Sequence, residues 1–480
     1  MGDNLIEKLE LLEKQGTQQF FTKGKTDKKI IIDYCGPNIA KPMHLGHLRT
    51  TILGESLKRL LKFSGFTTIG DIHYGDHGPQ MGCLLYGLKE RSQNLHQVVE
   101  SLQANPKLIF EIQKDVALRA AKDQKLDAKV RQEAITLQQA QGDYVSLRDK
   151  ISAITLSEIQ KMLDFLHVSF DQYSGESRYI PHIETVISLF KAKNLIETHQ
   201  GNIMVPLGNS YSVFLKGNDE FLAYSSIDMA AIYERIYKQE ADKIIYVIGN
   251  RQEHHWRQIL GAWNRYGINT ELIHRSHGYL LEQPNKAYKL DPYFGITMEQ
   301  FLNEVEVFSS NFIHSHFPIP EEDFTCFKNF IALLFLKIDN FKQPLEEGYI
   351  SFLKSPDFLA HPSAMVCFQC ARIFGFEKHL NLNKDTPLEI EDQLQQNLAM
   401  HLLYFPKALE KSSDSLDLSP LCKHLLQITD IWKQFKDLSN LSLNGLRLLN
   451  ISKRQVEEIF HIFAITLPPS IRNIANDLSH

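Results

Sequence analysis

The chain holds 480 residues, 43% hydrophobic and 23% charged, an ordinary balance for a folded protein that excludes wholesale disorder. Lysine and arginine total 52 against 57 acids, a net charge of −5, which excludes a chain coated in positive charge but leaves room for a local basic face. No apolar run reaches the roughly 18 residues of a membrane span, and six cysteines in so long a chain make no disulfide framework. The expectation is a cytoplasmic protein of roughly two or three domains that makes no membrane contact.

Residues 4–14 place Leu5, Leu9 and Leu12 on one helical stripe, and a Lys-rich link runs from Thr22 to Lys29. The amino terminus is acidic and amphipathic, unlike a secretory leader, which is basic and then apolar. Ile30-Ile31-Ile32 reads as a short strand, because an unbroken β-branched run suits a parallel sheet covered on both faces. It stops at the turn-rich Asp33-Tyr34-Cys35-Gly36-Pro37-Asn38. From Gly46 to Phe63 the positions Ile52, Leu53, Leu57, Leu60 and Leu61 recur at helical spacing, and Phe66 to His73 reads as a second strand. Strand, loop, helix and strand in that order begin a doubly wound nucleotide-binding sheet. Residues 84–165 are helical in pattern, residues 166–224 suggest a small antiparallel insert, and Lys243 to Gly249 forms a further buried strand leading to a helix that ends near Gly267. Past Pro318-Ile319-Pro320 the pattern is helical to the end. The expected fold is α/β: a doubly wound, Rossmann-like parallel sheet followed by an all-α helical bundle. Its expected parts are residues 1–28, an N-terminal helix and linker; 29–320, the sheet domain with insertions over about 84–220; and 321–480, the bundle.

The chemistry concentrates in Asn38-Ile39-Ala40-Lys41-Pro42-Met43-His44-Leu45-Gly46-His47-Leu48-Arg49. A loop leaves a buried strand and delivers His-x-Gly-His to the first turn of a helix, where free N–H groups and the positive helix end attract anions. His44 and His47, three apart, project from one side of the turn and can both reach phosphate oxygens, while Gly46 leaves room for a flat base or ribose. The plainer alternative is a pair of surface histidines ahead of a helix, and the flanking strands weigh against it.

This element resembles the signature of class I aminoacyl-tRNA synthetases, and more narrowly of the arginyl-tRNA synthetases. Three further blocks follow in the family's order: Gly75-Asp76-His77-Gly78-Pro79-Gln80-Met81-Gly82, Tyr224-Ser225-Ser226-Ile227-Asp228-Met229-Ala230, and Arg251-Gln252-Glu253-His254-His255. The resemblance implies an arginine–tRNA ligase. Arginine's carboxylate would attack the α-phosphate of ATP, carried with Mg2+, and tRNA would accept the arginyl group. By the same resemblance Asp33 and Asp228 are the acids for arginine, with Tyr224 one helical turn from Asp228, and Asn38 and Gln252 hold the amino acid's α-amino and carboxylate end. A planar, permanent guanidinium does ask for carboxylates in a fork. ATP would rest on His44, Gly46, His47, His255, Gly278, Tyr279 and Lys289, with His44, His47, Lys289 and Lys286 supplying positive charge to the phosphates. A monomer is expected.

Several positions depart from the family pattern. The family's mobile lysine loop has a degenerate equivalent in Asn285-Lys286-Ala287-Tyr288-Lys289-Leu290-Asp291, with Asp291 where an arginine is usual. His77 and Pro79 replace a usual Trp and Thr, and Cys35-Gly36 replaces a hydroxyl-bearing pair. Only 28 residues precede the first strand, where the family carries a domain that grips the tRNA elbow, so a short form is expected. The bundle resembles the family's anticodon-binding domain, through Phe368-Gln369-Cys370-Ala371-Arg372-Ile373 and Phe463 to Pro469. Cys35 as a nucleophile lacks an activating neighbour, and Cys367-x-x-Cys370 as a zinc site lacks a second ligand pair, so no metal site is expected. Two other readings stay open. One is a paralogue that adenylates arginine for a non-standard acceptor or none; the other is a non-catalytic binder of arginine, ATP or RNA.

Overall fold

The computed structural model describes residues 2–18, 28–92, 94–139, 143–208, 212–217, 222–283, 286–288, 295–355, 357–376 and 387–472. The strands begin β1 (Lys29–Asp33), β2 (Thr67–Tyr74) and β3 (Gln172–Gly175). A separate antiparallel sheet of β4 (Glu197–His199), β5 (Asn202–Pro206) and β6 (Ser212–Lys216) follows, and then come β7 (Lys243–Gly249) and β8 (Glu271–His277). The central sheet runs β3-β2-β1-β7-β8, every pairing parallel. The chain builds outward from β1 in one direction and then returns to build from β7 in the other. That reversal opens a crevice beyond the carboxyl ends of β1 and β7, where open α/β sheets bind ligands.

Burial shows why the Ile run is a strand. Ile30 and Ile32 pack into one core with Ile245 and Val247, while Ile31 joins Ile244 and Tyr246 in a core on the opposite face. The helices supply both covers. α1 (Gly2–Gln15) precedes the sheet and α2 (Leu45–Phe63) follows β1. An inserted helical layer comprises α3 (Pro79–Arg91), α4 (Leu95–Leu102), α5 (Lys107–Ala120), α6 (Gln124–Gln138) and α7 (Tyr144–Phe165), with its own core around Leu84, Leu88 and Ile112. α8 (Ile183–Ala192), α9 (Tyr224–Tyr237) and α10 (Glu253–Tyr266) cover the Ile31 face, and α10 stops at Gly267, whose φ of 86° suits a residue without Cβ. α2 packs so closely that a Cβ on Gly54 would fall 2.1 Å from the Tyr34 ring.

Past the sheet come α11 (Met298–His316), α12 (Glu321–Phe341), α13 (Pro362–Gly375), α14 (Gln393–Ser415), α15 (Ser419–Gln434) and α16 (Leu443–Ile462). Pro320 stands at the start of α12, close to the change of character read from sequence. These helices share one continuous hydrophobic cluster with α2 and the Ile30 face of the sheet. The first helix joins them: Leu9 and Leu12 are buried in that cluster, Glu13 pairs with the buried Arg447 at 2.6 Å, and Arg454 donates to the Leu12 carbonyl at 2.6 Å. The amino-terminal helix is therefore a strap on the carboxy-terminal helices. Cys367 and Cys370 are both buried on α13, with burial raising both thiol pKa values, as packing cysteines do. Among the described residues, no helix is long and apolar enough to cross a membrane, and no three His, Cys, Asp or Glu side chains cluster to hold a metal ion.

Candidate active site

A cavity of about 550 Å³ opens at the predicted crevice, within the size range of small-molecule sites. Of the residues singled out in the sequence, Asp33, Asn38, His44, Gly46, His47, Tyr224, Asp228, Gln252, His255 and Tyr279 all line it. β1 reaches it through a tight reversal, with Cys35 in the left-handed region at φ 77° and Gly36 donating to the Tyr34 carbonyl at 3.1 Å. The loop is then tied to the end of β2 by Ile39 N–H to the Gly75 carbonyl at 2.8 Å. Cys35 lines the cavity, but burial pushes its thiol up to about 12, so no thiolate nucleophile is available near neutral pH.

At one end stands the amino terminus of α2. His44 is its N-cap; its Nδ1 accepts from Gly46 N–H at 3.0 Å, and His47 Nδ1 accepts from His44 N–H at 3.1 Å. That acceptor role puts the proton of the neutral His44 ring on Nε2, while His47 Nδ1 also lies 3.2 Å from the His44 carbonyl. Burial, helped by the charge of its neighbour His44 and only partly opposed by backbone carbonyls, pushes His47 down to about 3. Burial lowers His44 as well, with Lys41 and Arg251 adding to the effect. The two histidines are therefore neutral near pH 7, where the sequence suggested cations. Lys41 and Arg251 carry the positive charge felt at His44; both stood inside quoted motifs with no role assigned. Arg251 lies over the Tyr279 ring at 4.7 Å, and its N–H donates to the Tyr279 hydroxyl at 2.9 Å.

Two expected nucleotide contacts fall elsewhere. Gly278 does not line the cavity; its carbonyl accepts from the buried Arg49 at 2.7 Å, and a Cβ there would meet the Glu347 backbone at 2.5 Å. Lys286 is exposed and paired with Glu282 at 2.8 Å, on β10 (Lys286–Ala287) beside β9 (Leu280–Gln283). Lys289 and Asp291 lie outside the described residues.

At the other end the acids differ from expectation. Asp33 reaches the cavity, but its Oδ2 sits 2.7 Å from the guanidinium of Arg235, which also pairs with Asp71 at 2.7 Å. His73 lies 3.5 Å from the same oxygen. Burial would raise Asp33, yet Arg235 and His73 hold its pKa below the ordinary carboxylate value. Its charge is thus committed within the protein. The second acid facing the cavity is Glu176, which no motif had marked. It stands on a turn directly after the short β3, and its charge acts with that of Asp228 on Tyr224, whose phenol burial and those two charges push up to about 12. Each of these two acids has a histidine: Asp228 meets His255 Nε2 at 2.6 Å and Glu176 meets His77 Nδ1 at 2.8 Å. Burial works against the His255 cation, but the hydrogen bond and charge of Asp228 prevail and raise its pKa. His255 therefore belongs to the acid end of the cavity. Asn38 is fixed by Gln80, which donates to its Oδ1 at 3.4 Å.

Burial of His47, His277 and His424 has a consequence for stability, since their pKa values fall to about 3, about 3 and about 4. An unfolded histidine titrates near 6.5, so between that pH and the folded values the unfolded chain binds more protons and stability falls as pH falls. His73 and His255, raised in the fold, act in the opposite sense and offset part of this. The three lowered groups together are worth up to about 4 kcal/mol per pH unit around pH 5. Thermal melts should show a clear drop in Tm between pH 6.5 and 5; a level Tm there contradicts neutral buried histidines.

The tRNA synthetases class I (R), catalytic domain, is the family whose model matches residues 9–314. The cytoplasmic arginine–tRNA ligase of Cricetulus griseus is 27% identical over 431 residues, 86% of this chain and 64% of that protein. The arginine–tRNA ligase of Agathobacter rectalis is 25% identical over 487 residues, 93% of this chain and 81% of that protein. The chain thus spans just under two thirds of the length of the first and about four fifths of the second. Among solved structures, the arginyl-tRNA synthetase of Plasmodium falciparum superposes with a TM-score of 0.79 at 20% identity, covering 97% of this chain and 82% of its own. That of Thermus thermophilus gives 0.76 at 14% identity, covering 96% and 85%; both likenesses speak for the fold. With a family match running over more than half of its residues, the chain belongs to the class I tRNA synthetases, through the catalytic domain of their arginine (R) type.

Proposed function

We propose that the protein activates L-arginine with ATP and transfers the arginyl group to tRNA. The observation that carries this reading is one cavity with two carboxylates, Glu176 and Asp228, at one end and the capped start of α2 at the other. Asp228 and Glu176 receive the guanidinium beside Tyr224, which a planar cation favours. Asn38 and Gln252 hold the α-amino and carboxylate groups. That carboxylate oxygen attacks the α-phosphorus; the bond to the β-phosphate oxygen breaks, and pyrophosphate leaves with its electron pair. The hydroxyl of tRNA's terminal adenosine then takes the arginyl group from the adenylate. Little covalent chemistry falls to the protein, so positioning and charge are what it supplies.

His44 and His47 donate hydrogen bonds to the phosphates, Lys41 and Arg251 supply cations, and Tyr279 with Gly46 borders the adenosine. Lys286 and Lys289 remain candidates for a mobile cationic loop on the strength of sequence alone. Neutral imidazoles and backbone N–H groups suit phosphate oxygens and not Mg2+, which prefers oxygen ligands. Mg2+ is therefore proposed to arrive on ATP, where it neutralises phosphate charge. Helices α12–α16 are the proposed seat of tRNA. A monomer acting in a reducing cytoplasm is proposed on the strength of sequence alone.

Arginine-dependent exchange of pyrophosphate into ATP, measured with and without tRNA, tests the proposal. Exchange that requires both arginine and tRNA, followed by arginylation of that tRNA, is the expected result. Exchange without tRNA and no arginylation would replace tRNA with another acceptor or none, and no exchange under either condition would end the enzymatic reading.

A further inference from the structure

We infer that His77 is a positioning residue that sets the Glu176 carboxylate for the substrate's guanidinium. The inference rests on the reading of Glu176 and Asp228 as the acids that receive arginine. His77 sits between β2 and α3, its side chain 2% exposed, with Nδ1 2.8 Å from Glu176 Oε2. Its neighbour Asp76 grips the same turn by the next residue: Oδ1 accepts from Ser177 N–H at 2.8 Å and Oδ2 from the Ser177 hydroxyl at 2.5 Å. A Cβ on Gly175 would fall 2.5 Å from Asp76 Oδ2, so the turn and the loop fit each other with nothing between them. The β2–α3 loop thus holds the turn twice, by its backbone through Asp76 and by its carboxylate through His77. Because Asp76 fixes the backbone independently, removing the imidazole frees the Glu176 side chain without releasing the turn.

A carboxylate fixed on one oxygen presents the other to a ligand in one orientation, which is what a bidentate fork needs. Asp228 is hydrogen-bonded to His255 Nε2 at 2.6 Å, whereas His77 Nδ1 meets Glu176 Oε2 as a close charge contact outside hydrogen-bond geometry, so two of the cavity's carboxylates each lie against an imidazole from a different part of the chain. His77 touches neither substrate nor reacting atoms, and its effect should appear in arginine affinity alone.

The test is steady-state pyrophosphate exchange with tRNA present, comparing the wild type with His77→Phe, His77→Asn and Glu176→Gln. Phenylalanine keeps a ring of similar size without the nitrogen that faces Glu176, and should raise the KM for arginine about tenfold, within the range for a buried charged group that loses its partner. The KM for ATP and the kcat should each stay within about twofold, since neither reports on this contact. Asparagine places an amide nitrogen near the position of Nδ1 and should restore the arginine KM to within about threefold of wild type. If the Phe variant does not fold, His77→Ala, which only removes atoms, is read in its place. An unchanged arginine KM in the variant without that nitrogen, or equal rises for arginine and ATP, would overturn the inference while Glu176→Gln still raises the arginine KM. An arginine KM unmoved by Glu176→Gln would instead overturn the assignment of the acids, and this inference with it.

Discussion

Replacing Asp228 by alanine is expected to raise the KM for arginine about a hundredfold or more, with the KM for ATP held within about twofold. The carboxylate is only 15% exposed and is hydrogen-bonded to His255, so a guanidinium beside it makes a charge-assisted contact shielded from water. Truncating one member of such a contact typically costs about 2–5 kcal/mol, some thirtyfold to several thousandfold. On the proposed reading ATP rests on the first turn of α2 and makes no contact with Asp228. His255 reports on the change as well. The charge and hydrogen bond of Asp228 are what lift its pKa, so an NMR titration of its ring should shift downward in the variant. An arginine affinity that stays within about twofold would show that the pocket has been assigned wrongly.

The second large effect is on stability. Arg235 is completely buried on α9, two turns past Asp228, and bridges Asp33 and Asp71, each at 2.7 Å. Those two acids are register partners on β1 and β2, so a single guanidinium pins α9 across both strands and keeps like charges together beneath the cavity. Its Nη1 also donates to the Tyr246 hydroxyl at 3.0 Å. Arg235→Met leaves two buried carboxylates facing each other, with His73 beside Asp33, and should lower stability by about 3–5 kcal/mol in denaturant unfolding. Adding Asp33→Asn and Asp71→Asn removes the stranded charge, and this triple variant should regain most of the loss. A single variant as stable as wild type, or a triple variant no better than the single one, would mean that the cluster is not an electrostatic unit.

Much of the site was legible because its residues fall on long, strongly patterned elements. The β-branched run of β1, the helical stripe of α2 and the turn between them place His44, Gly46 and His47 from the sequence pattern itself. Tyr224 and Asp228, marked in the sequence by the family motif, sit one turn apart at the start of α9. What escaped lies on short or edge elements. β3 has four residues, among them Ser174 and Gly175, and its strand character comes only from pairing with β2, so Glu176 beyond it carried no local signal. β8 is an edge strand with half-buried charged and histidine positions, lacking the apolar run that marked β7. The role expected of Asp33 failed for a different reason: its partner Arg235 is about 200 residues away in sequence, and only folding shows that the charge is already taken. The protonation of His44 and His47 was likewise invisible, because it depends on burial and on two backbone donors.

The central claim is that one cavity holds a guanidinium between Glu176 and Asp228 while a nucleotide rests on the start of α2. Its most direct measurement is a crystal structure with arginine and a non-hydrolysable ATP analogue bound. Guanidinium nitrogens within about 3 Å of both carboxylates, and phosphate oxygens within about 3 Å of His44 or His47 Nε2, are the expected result. A guanidinium seated against Asp33 with Arg235 displaced, or phosphates lying away from α2, would contradict it.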